Sequence, residues 1–292
     1  MTSADTPATV AREDLRAGAI FAVLAAAAFA LMSACVKAVS AEVATEVVVF
    51  FRSGVSLLVL LPWLLRSGTR ALVTQRPAAH LWRAVFGTCA VYCFFYAIAH
   101  LQLSEAILLT YSTPLFIPFI AWLWLREPPA PVVLLAIGLG LAGIVLIARP
   151  GAALAPSLAT GLGVLSAVCA SCAMVGIRRM SDTEPAVRIV FYFSALSTAV
   201  AAVPLLWAWR TPSPMAAVLL VATGVFATIG QLSLTRAYGL APAARIGAFA
   251  YSSVVFGGLL GWALWRESPD AWSLAGMTLV VACCLAAGWR GK

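Results

Sequence analysis

The sequence predicts an all-α integral membrane protein: ten transmembrane helices, arranged as two inverted five-helix repeats around a central cavity. Three observations predict this fold. Of the 292 residues, 63% are hydrophobic and only 10% are charged, against about 25% charged in soluble domains. The chain contains ten apolar runs, each near the roughly 20 residues that a helix needs to cross a bilayer. Finally, two of its segments repeat each other 140 residues apart.

Charged residues, prolines and glycines separate the apolar runs and so mark the ends of the spans. We predict spans at 18–39, 46–65, 81–100, 104–124, 131–148, 159–177, 186–206, 215–235, 243–264 and 271–288. Residues 18–148 form the first repeat and residues 159–288 the second. Residues 1–17 form a polar cytoplasmic tail rather than a signal peptide, because the first apolar run already has full spanning length.

The repeat is clearest around the fourth and ninth spans. Residues 111–112 read Tyr-Ser and are followed by Trp-Leu-Arg-Glu-Pro at 124–128. Residues 251–252 also read Tyr-Ser and are followed by Leu-Trp-Arg-Glu at 264–267. With five spans in each half, the second copy lies upside down in the bilayer. Inverted repeats of this kind are typical of secondary transporters.

The distribution of lysine and arginine between the loops predicts the orientation, because cytoplasmic loops carry the excess. With the N-terminus inside, 14 of these residues face the cytoplasm and 4 face outward; Arg52 lies within a span and is left out. The inner set is Arg12, Arg16, Arg66, Arg70, Arg76, Arg83, Arg126, Arg178, Arg179, Arg188, Arg236, Arg245, Arg290 and Lys292, and the outer set is Lys37, Arg149, Arg210 and Arg266. Both termini are therefore predicted to be cytoplasmic.

Over roughly residues 17–289 the chain resembles the EamA family of the drug/metabolite transporter superfamily. The resemblance rests on Trp-Leu-Arg-Glu-Pro at 124–128, Phe-Phe-Arg-Ser at 50–53 and the lysine near the end of the first span. The second half departs from the pattern at Val254, where the counterpart of Pro114 is missing. The resemblance implies a basket-shaped carrier in a bacterial inner membrane, its cavity formed mainly by spans 1, 3, 4, 6, 8 and 9. Family substrates include amino acids, nucleotide-like cofactors and riboflavin, and the aromatic amino-acid exporters are the preferred match.

Polar-tipped aromatic residues and hydroxyls in the spans are the candidates for lining the cavity. Tyr92 and Tyr96 share one helix face and could stack on an aromatic substrate, or they could belong to the interfacial aromatic belt. The two Tyr-Ser pairs fit a shared site about a pseudo-two-fold axis. Gln231, an amide at mid-span, needs a partner, and whether it touches substrate is left open. The substrate-binding candidates are Tyr92, Tyr96, Tyr111, Ser112, Gln231, Tyr251 and Ser252.

Charges inside spans are costly and usually functional. Arg52 lies about two turns into the second span, where it could bind a carboxylate. We favour a structural role, in which it either extends toward the outer surface or pairs with Glu46 or another outer acid. Glu105 and Arg245 begin the fourth and ninth spans and could act as alternating gate charges. No acid lies at mid-span, which weakens strict proton antiport and leaves facilitated diffusion open.

Other function classes lack the residues that they need. A membrane-embedded enzyme requires paired acids or histidine clusters, and the chain has two histidines. The Cys169-x-x-Cys172 pair has no second pair or histidine nearby, so neither a metal nor a cofactor is predicted. The net charge of +8 lies at span ends, which argues against nucleic acid.

The predicted function is therefore secondary transport of small amphipathic metabolites, most readily the export of aromatic or other neutral amino acids by alternating access. The alternative is a carrier for a nucleotide-like cofactor, riboflavin or a drug. A small-molecule substrate and the bilayer are the expected partners, and the exact substrate, the direction and the oligomeric state stay open.

Overall fold

The computed structural model describes residues 14–40, 42–100, 109–110, 112–148, 157–266 and 270–288, and these contain helices and no β-strand. Ten helices in this part of the chain have 13 residues or more. They are α1 Leu15–Val39, α2 Thr45–Ser67, α3 Pro77–His100, α4 Thr113–Leu125, α5 Pro131–Ala148, α6 Leu158–Met180, α7 Ala186–Ala202, α8 Pro214–Leu240, α9 Ser252–Trp265 and α10 Ala271–Gly288. A 3-10 turn at Thr69–Leu72 and short helices at Leu205–Ala208 and Ala243–Phe249 lie between them.

Helix beginnings follow capping signals in the sequence. The carboxylate of Asp14 accepts a hydrogen bond from the amide of Ala17 at 3.0 Å, and Ser157 and Ser213 cap α6 and α8 in the same way. These side chains satisfy amides that have no partner within the helix. Proline opens α8 at Pro214, where its missing amide hydrogen is no loss.

Length and composition establish a membrane protein with several apolar helices. Within the described residues, five helical stretches are long and apolar enough to cross a bilayer. They are Leu15–Val39, Thr45–Ser67, Leu158–Met180, Pro214–Leu240 and Ala243–Leu264. The four shorter apolar helices are α4, α5, α7 and α10. The number of spans and the side on which each terminus lies stay predictions.

The predicted ninth span at 243–264 coincides with the apolar helical stretch Ala243–Leu264, which a turn divides into two helices. A turn at Ala250 and Tyr251 separates the short helix Ala243–Phe249 from α9. The hydroxyl of Ser252 donates to the carbonyl of Phe249 at 2.6 Å, and that of Ser253 donates to the carbonyl of Ala250 at 2.8 Å. Such bonds compete with the helical ladder, so the residues after Tyr251 break the helix.

The fourth span shows the same local chemistry. The hydroxyl of Ser112 donates to Leu109 at 2.5 Å, and that of Thr113 donates to Thr110 at 2.6 Å, directly before α4. At the far ends, Arg126 and Arg266 both adopt the left-handed conformation, with φ of 56° and 57°. The two repeated segments therefore share one backbone geometry, at the break and at the C-cap.

Helix packing follows a regular pairing. Helix α1 packs on α8 and α3 on α6, while α1 also packs on α9 and α4 on α6. Helices α2 and α7 contact each other, as do α5 and α10. Each pair maps onto another pair, or onto itself, when every helix is exchanged for the one five positions along. This is the pairing expected of two related five-helix halves.

The main hydrophobic cluster joins buried residues of α1, α4, α5, α6, α8 and α10 to the short helix Ala243–Phe249, and it includes Ile189 of α7. Small residues let its helices approach closely: a Cβ added to Gly143 on α5 would lie 2.6 Å from the carbonyl of Gly276 on α10. A second, smaller cluster joins the end of α1 to α2 and α8. Several buried polar side chains, including Ser56, Arg83, Ser197 and Gln231, lie on α2, α3, α7 and α8.

Candidate substrate site

A pocket of about 440 Å³ opens at the end of the bundle where α6 ends and α7 begins. We call it the end pocket. It is walled by the start of α1, the α6–α7 connection and the last turns of α8. Its lining residues include Phe21, Ser181, Glu184, Ile189, Thr235 and Arg236. The pocket is thus bounded by helices from both halves of the chain.

A buried polar group lies one helical turn deeper than the end pocket. Phe193 follows Ile189 by four residues on α7, and Gln231 precedes Thr235 by four residues on α8. Residues four apart share a helix face and are separated by about 6 Å along the axis. Because α7 and α8 run in opposite directions, both steps lead away from the pocket and into the bundle. Phe193 and Gln231, with Arg83 of α3 and Arg52 of α2, form what we call the polar centre.

Arg83 is the centre of this group. Its side chain is almost fully enclosed, with only 2% exposed. Its Nη2 donates a hydrogen bond to the Oε1 of Gln231 at 3.1 Å, and the guanidinium lies over the ring of Phe193 at 3.9 Å from the ring centre. Its Nε and Nη1 are buried and have no hydrogen-bond partner. One N–H group is therefore anchored, and two nitrogen donors are unsatisfied.

Gly87 makes room for this guanidinium. A Cβ at that position would lie 2.0 Å from Nη1 of Arg83 and 2.8 Å from a ring carbon of Phe193. Any side chain at residue 87 would displace the arginine, because real carbon atoms do not approach so closely. The glycine one turn after Arg83 is thus part of the structure that holds the cation in place.

Arg52 approaches the same aromatic ring from α2. Its guanidinium carbon lies 6.0 Å from the centre of the Phe193 ring. Among the described residues, no carboxylate lies within ion-pair distance of Arg52 or of Arg83. Of the structural roles considered for Arg52, pairing with Glu46 is therefore not formed. The structure thus brings two cations together where the sequence had indicated one.

Of the predicted cavity residues, Gln231 is the one that belongs to the polar centre. On α3, the hydroxyl of Tyr92 is buried without a hydrogen-bond partner, whereas Tyr96 is 37% exposed. Ser112 is engaged by its own backbone, as described above. Tyr111 and Glu105 lie outside the described residues.

The second Tyr-Ser pair has different surroundings. Tyr251 is completely buried in the main hydrophobic cluster, and its hydroxyl has no hydrogen-bond partner. A Cβ at Gly140 would lie 2.2 Å from its ring and 2.9 Å from the sulfur of Cys283, so the ring packs between α5 and α10. Ser252 bonds to the carbonyl of Phe249. This surrounding favours a packing role for Tyr251, and its contact with substrate stays a prediction.

Arg83 was missed by the loop-charge count, which placed it among the cytoplasmic cations. That placement is wrong because Arg83 is the seventh residue of α3 and is enclosed by α7 and α8. The signal was available, since Arg83 lies inside the predicted span 81–100. Arg245, the predicted gate charge that lies in the described part of the chain, is half-buried in the first turn of the short helix Ala243–Phe249.

An ionic network closes the bundle beside the end pocket. Glu184, whose side chain is 1% exposed, accepts hydrogen bonds from Thr74 at 2.6 Å and from Arg188 at 2.7 Å. Nε2 of His80 lies 3.5 Å from the same carboxylate, and Arg188 also donates to the carbonyl of Ala71 at 2.6 Å. The network ties the α2–α3 connection to the α6–α7 connection.

Burial and charge oppose each other in this network. Burial raises the pKa of Glu184, but the hydrogen bonds from Thr74 and Arg188 and the nearby charges outweigh it and lower that pKa below its ordinary value. His80 lies in the first turn of α3, ahead of the predicted span, and burial lowers the pKa of its imidazole despite the nearby carboxylate of Glu184. Both groups therefore favour their deprotonated forms in the folded protein.

A second ionic contact, between Arg178 and Glu127, lies at the same end of the bundle. Nε of Arg178 donates to Glu127 at 3.1 Å, and the other carboxylate oxygen of Glu127 accepts from the amide of Ala243 at 3.4 Å. This contact joins the end of α4 to α6 and to the short helix after α8. This arrangement gives Glu127 a structural role.

Cysteines in the described residues are free. The sulfur of Cys89 lies 3.9 Å from that of Cys93 and 3.8 Å from that of Cys169, where α3 packs on α6. Within the described residues, no group of histidine, cysteine and acidic side chains is arranged to hold a metal ion.

Comparison with known proteins gives a consistent picture. The model of the EamA-like transporter family matches the chain twice, at residues 16–149 and 157–288. The chain is similar to the pseudopaline exporter CntI of Pseudomonas aeruginosa, with 37% identity over 93% of this chain and 96% of that protein. It is also similar to a riboflavin transporter of Brucella anthropi, at 24% identity over 87% and 95% of the two chains. One solved crystal structure shares the fold, with a TM-score of 0.77 at 19% identity, and covers 92% of this chain and 94% of that one.

Proposed function

The chain belongs to the EamA-like transporter family, and on that premise we propose that it exports small amphipathic metabolites of the amino-acid type by alternating access. The family resemblance read from the sequence is confirmed, and so is the prediction of a transporter rather than an enzyme, because the family and the named relatives are transporters. Similarity to a pseudopaline exporter supports the outward direction. The proposed location is a bacterial inner membrane.

The proposed topology has ten spans in two inverted repeats, residues 18–148 and 159–288, with both termini in the cytoplasm. The exchange pattern of helix packing and the matching geometry at Arg126 and Arg266 support the repeat. The excess of lysine and arginine supports the orientation. In this topology the end pocket opens toward the cytoplasm, on the side from which an exporter takes its substrate.

The observation that carries the proposal is the hydrogen bond between Arg83 and Gln231. It joins α3 of the first half to α8 of the second half, at a buried position one turn inside the end pocket. Transporters of this architecture bind substrate near the middle of the bilayer between their repeats. There, a substrate carboxylate would accept hydrogen bonds from the arginines, and an aromatic side chain of the substrate would contact the ring of Phe193.

Alternating access then requires contacts at each end that can open in turn. At the cytoplasmic end, Glu184 and Glu127 hold connections of the two halves together. At the opposite end, the carboxylate of Glu42 accepts hydrogen bonds from the amide and the hydroxyl of Ser213, at 2.6 and 2.9 Å. We propose that these contacts, of a few charged hydrogen bonds each, are the two gates.

Aromatic amino acids are the first substrates to test. The alternative is a riboflavin-like or nucleotide-like solute, which the similarity to riboflavin transporters favours. Both classes carry a ring for Phe193 to contact. They differ in that amino acids also present a carboxylate to the arginines.

Counterflow into proteoliposomes tests the proposal. Purified protein is reconstituted into vesicles preloaded with unlabelled solute, and uptake of the same labelled solute is compared with protein-free vesicles. The panel contains phenylalanine, tryptophan, leucine, riboflavin and a nucleoside. Gln231→Leu should slow the transported solute by about tenfold or more, because it removes a hydrogen bond to a charged group. Its control is Gly138→Ala on α5, where an added Cβ meets nothing within 4 Å.

Two results would overturn the proposal. The carrier reading fails if no solute in the panel, nor an anionic derivative of one, moves faster than in empty vesicles. The position of the site is wrong if Gln231→Leu and Gly138→Ala transport equally well.

A further inference from the structure

We propose that the transported solute is a dianion, an amino-acid derivative with two carboxylates that contact Arg83 and Arg52 together. The inference rests on the proposed function and narrows its substrate class. In the described part of the chain, the polar centre contains two cations and no acid within ion-pair distance of them.

Arg83 has no counter-charge among the residues that the structure describes. It is 2% exposed, so water does not compensate it, and Nε and Nη1 have no partner. A guanidinium does not release its proton in proteins, and a buried unpaired charge is strongly disfavoured. The contact with the ring of Phe193 occupies a face of the guanidinium and leaves its N–H donors unsatisfied. An anion from outside the chain is the group that would complete this site.

The neighbouring polar residues do not supply that anion. Hydroxyls in the same region are paired with one another: Thr88 bonds to Ser197 at 2.8 Å, and Thr228 donates to Ser56 at 2.7 Å. These pairs are satisfied within the protein. The hydroxyls of Tyr92 on α3 and Thr235 on α8 are also buried without a partner, but a hydroxyl is neutral. The uncompensated charge at this site is therefore that of the arginines, and the site selects by charge.

Arg52 makes the site dicationic. The two guanidinium carbons lie 6.0 and 3.9 Å from one ring centre, so they are separated by at most the sum of these distances, about 10 Å. One short molecule can place a carboxylate on each. A solute with one carboxylate leaves the second cation uncompensated, and a net-neutral solute brings no excess negative charge to the pair.

The site is also positioned to receive an anion from the end pocket. Arg236 lines that pocket, and Glu184, the acid among its lining residues, is already bonded to Thr74 and Arg188. Negative solutes therefore meet a cation at the mouth and two more cations inside. Gly87 and Gln231 hold Arg83 in place for this contact.

A matched series of solutes tests charge without changing the ring. Phenylalanine is neutral overall, N-acetylphenylalanine carries one negative charge and N-malonylphenylalanine carries two. Counterflow in proteoliposomes should give an apparent KM for the dianion about tenfold or more below that for phenylalanine, because each charged hydrogen bond adds this much affinity. Arg83→Gln and Arg52→Gln should each lower the ratio of dianion flux to phenylalanine flux by about 10- to 150-fold.

Stability provides a second readout that does not depend on flux. If Arg83 awaits an anion, Arg83→Met should leave the thermal unfolding temperature of the substrate-free protein unchanged or raise it, because the variant removes an unpaired buried charge. N-malonylphenylalanine should raise the unfolding temperature of the wild type and not that of Arg83→Met. If Arg83 is purely structural, Arg83→Met lowers the unfolding temperature and the dianion shifts neither protein, which overturns the proposal.

The outcomes separate this inference from the proposed function. Transport of phenylalanine or riboflavin with no preference for the dianion sinks the dianion and keeps the exporter. Failure to transport the whole panel and all three derivatives sinks both. A dianion preference that survives in both arginine-to-glutamine variants removes Arg83 and Arg52 from the site.

Discussion

Gly87→Ala is the substitution that asks most directly whether the geometry around Arg83 matters for transport. The new Cβ would lie 2.0 Å from Nη1 of Arg83 and 2.8 Å from a ring carbon of Phe193, whereas carbon contacts are normally about 3.5 Å or longer. Crowding of a packed site costs about 1–3 kcal/mol. The gain in helix propensity from glycine to alanine returns about 1 kcal/mol. The net loss of stability is therefore about 0–2 kcal/mol.

Function should change much more than stability. The crowded atom is the far end of a flexible side chain, so the least costly relaxation moves the guanidinium away from Gln231. A displaced guanidinium also no longer contacts the carboxylate of the substrate, and loss of one such charged hydrogen bond of about 1.5–3 kcal/mol lowers affinity by about 10- to 150-fold. We expect Gly87→Ala to lower counterflow of the preferred solute by that factor, while thermal unfolding in detergent stays close to that of the wild type.

The matched control is Gly138→Ala, at an exposed α5 position where the added Cβ meets nothing within 4 Å. It should transport like the wild type and gain up to about 1 kcal/mol in stability. Wild-type transport by Gly87→Ala, with the protein folded and reconstituted to the same density, would refute the position of Arg83 described here.

Three further predictions concern the ionic network and the packed tyrosine. Burial lowers the pKa of His80, so the unfolded chain binds more protons than the folded chain as the pH falls from about 7 to 5. Stability should therefore fall by up to about 1.4 kcal/mol per pH unit. His80→Gln should flatten this dependence in thermal unfolding at pH 5, 6 and 7. The pKa of Glu184 is also lowered, so its contribution to stability is complete at neutral pH and is lost as the pH falls below about 4. Glu184→Gln should lower stability by about 1–3 kcal/mol at pH 7, and an unchanged unfolding temperature would contradict the network. Tyr251→Phe removes a buried hydroxyl without a partner, so stability should stay level or rise by about 1 kcal/mol with transport unchanged; a clear loss of transport would instead place Tyr251 against substrate.

Apolar runs separated by charged residues, prolines and glycines predicted most of the helices, because helix breaking is a short-range effect. The structure adds the capping residues that begin three of them. Asp14, Ser157 and Ser213 begin helices where their side chains can accept backbone hydrogen bonds. The two Tyr-Ser pairs of the repeat mark positions where helices are interrupted. Their serines bond to their own backbone and break the helices there, at Leu109 and at Phe249.

Residue type alone was a weaker guide to the candidate site. Arg52 and Gln231 were recognised as costly polar groups inside spans, and the structure places both in the polar centre. Tyr251 was also predicted as a cavity residue, but it lies in the main hydrophobic cluster. Arg83 was assigned to a loop because it lies near the end of a span, although it is enclosed by neighbouring helices.

The amino-acid sequence by itself was enough to predict a membrane protein, its family and its division into two related halves. Composition, span length and repeated motifs are properties of the chain alone. Only the tertiary structure decided which polar residues meet. Arg83 and Gln231 are 148 residues apart in sequence and 3.1 Å apart in space. A helix that is apolar on all sides does not reveal which face turns inward, and in a bilayer that choice is made by close packing against the neighbouring helices.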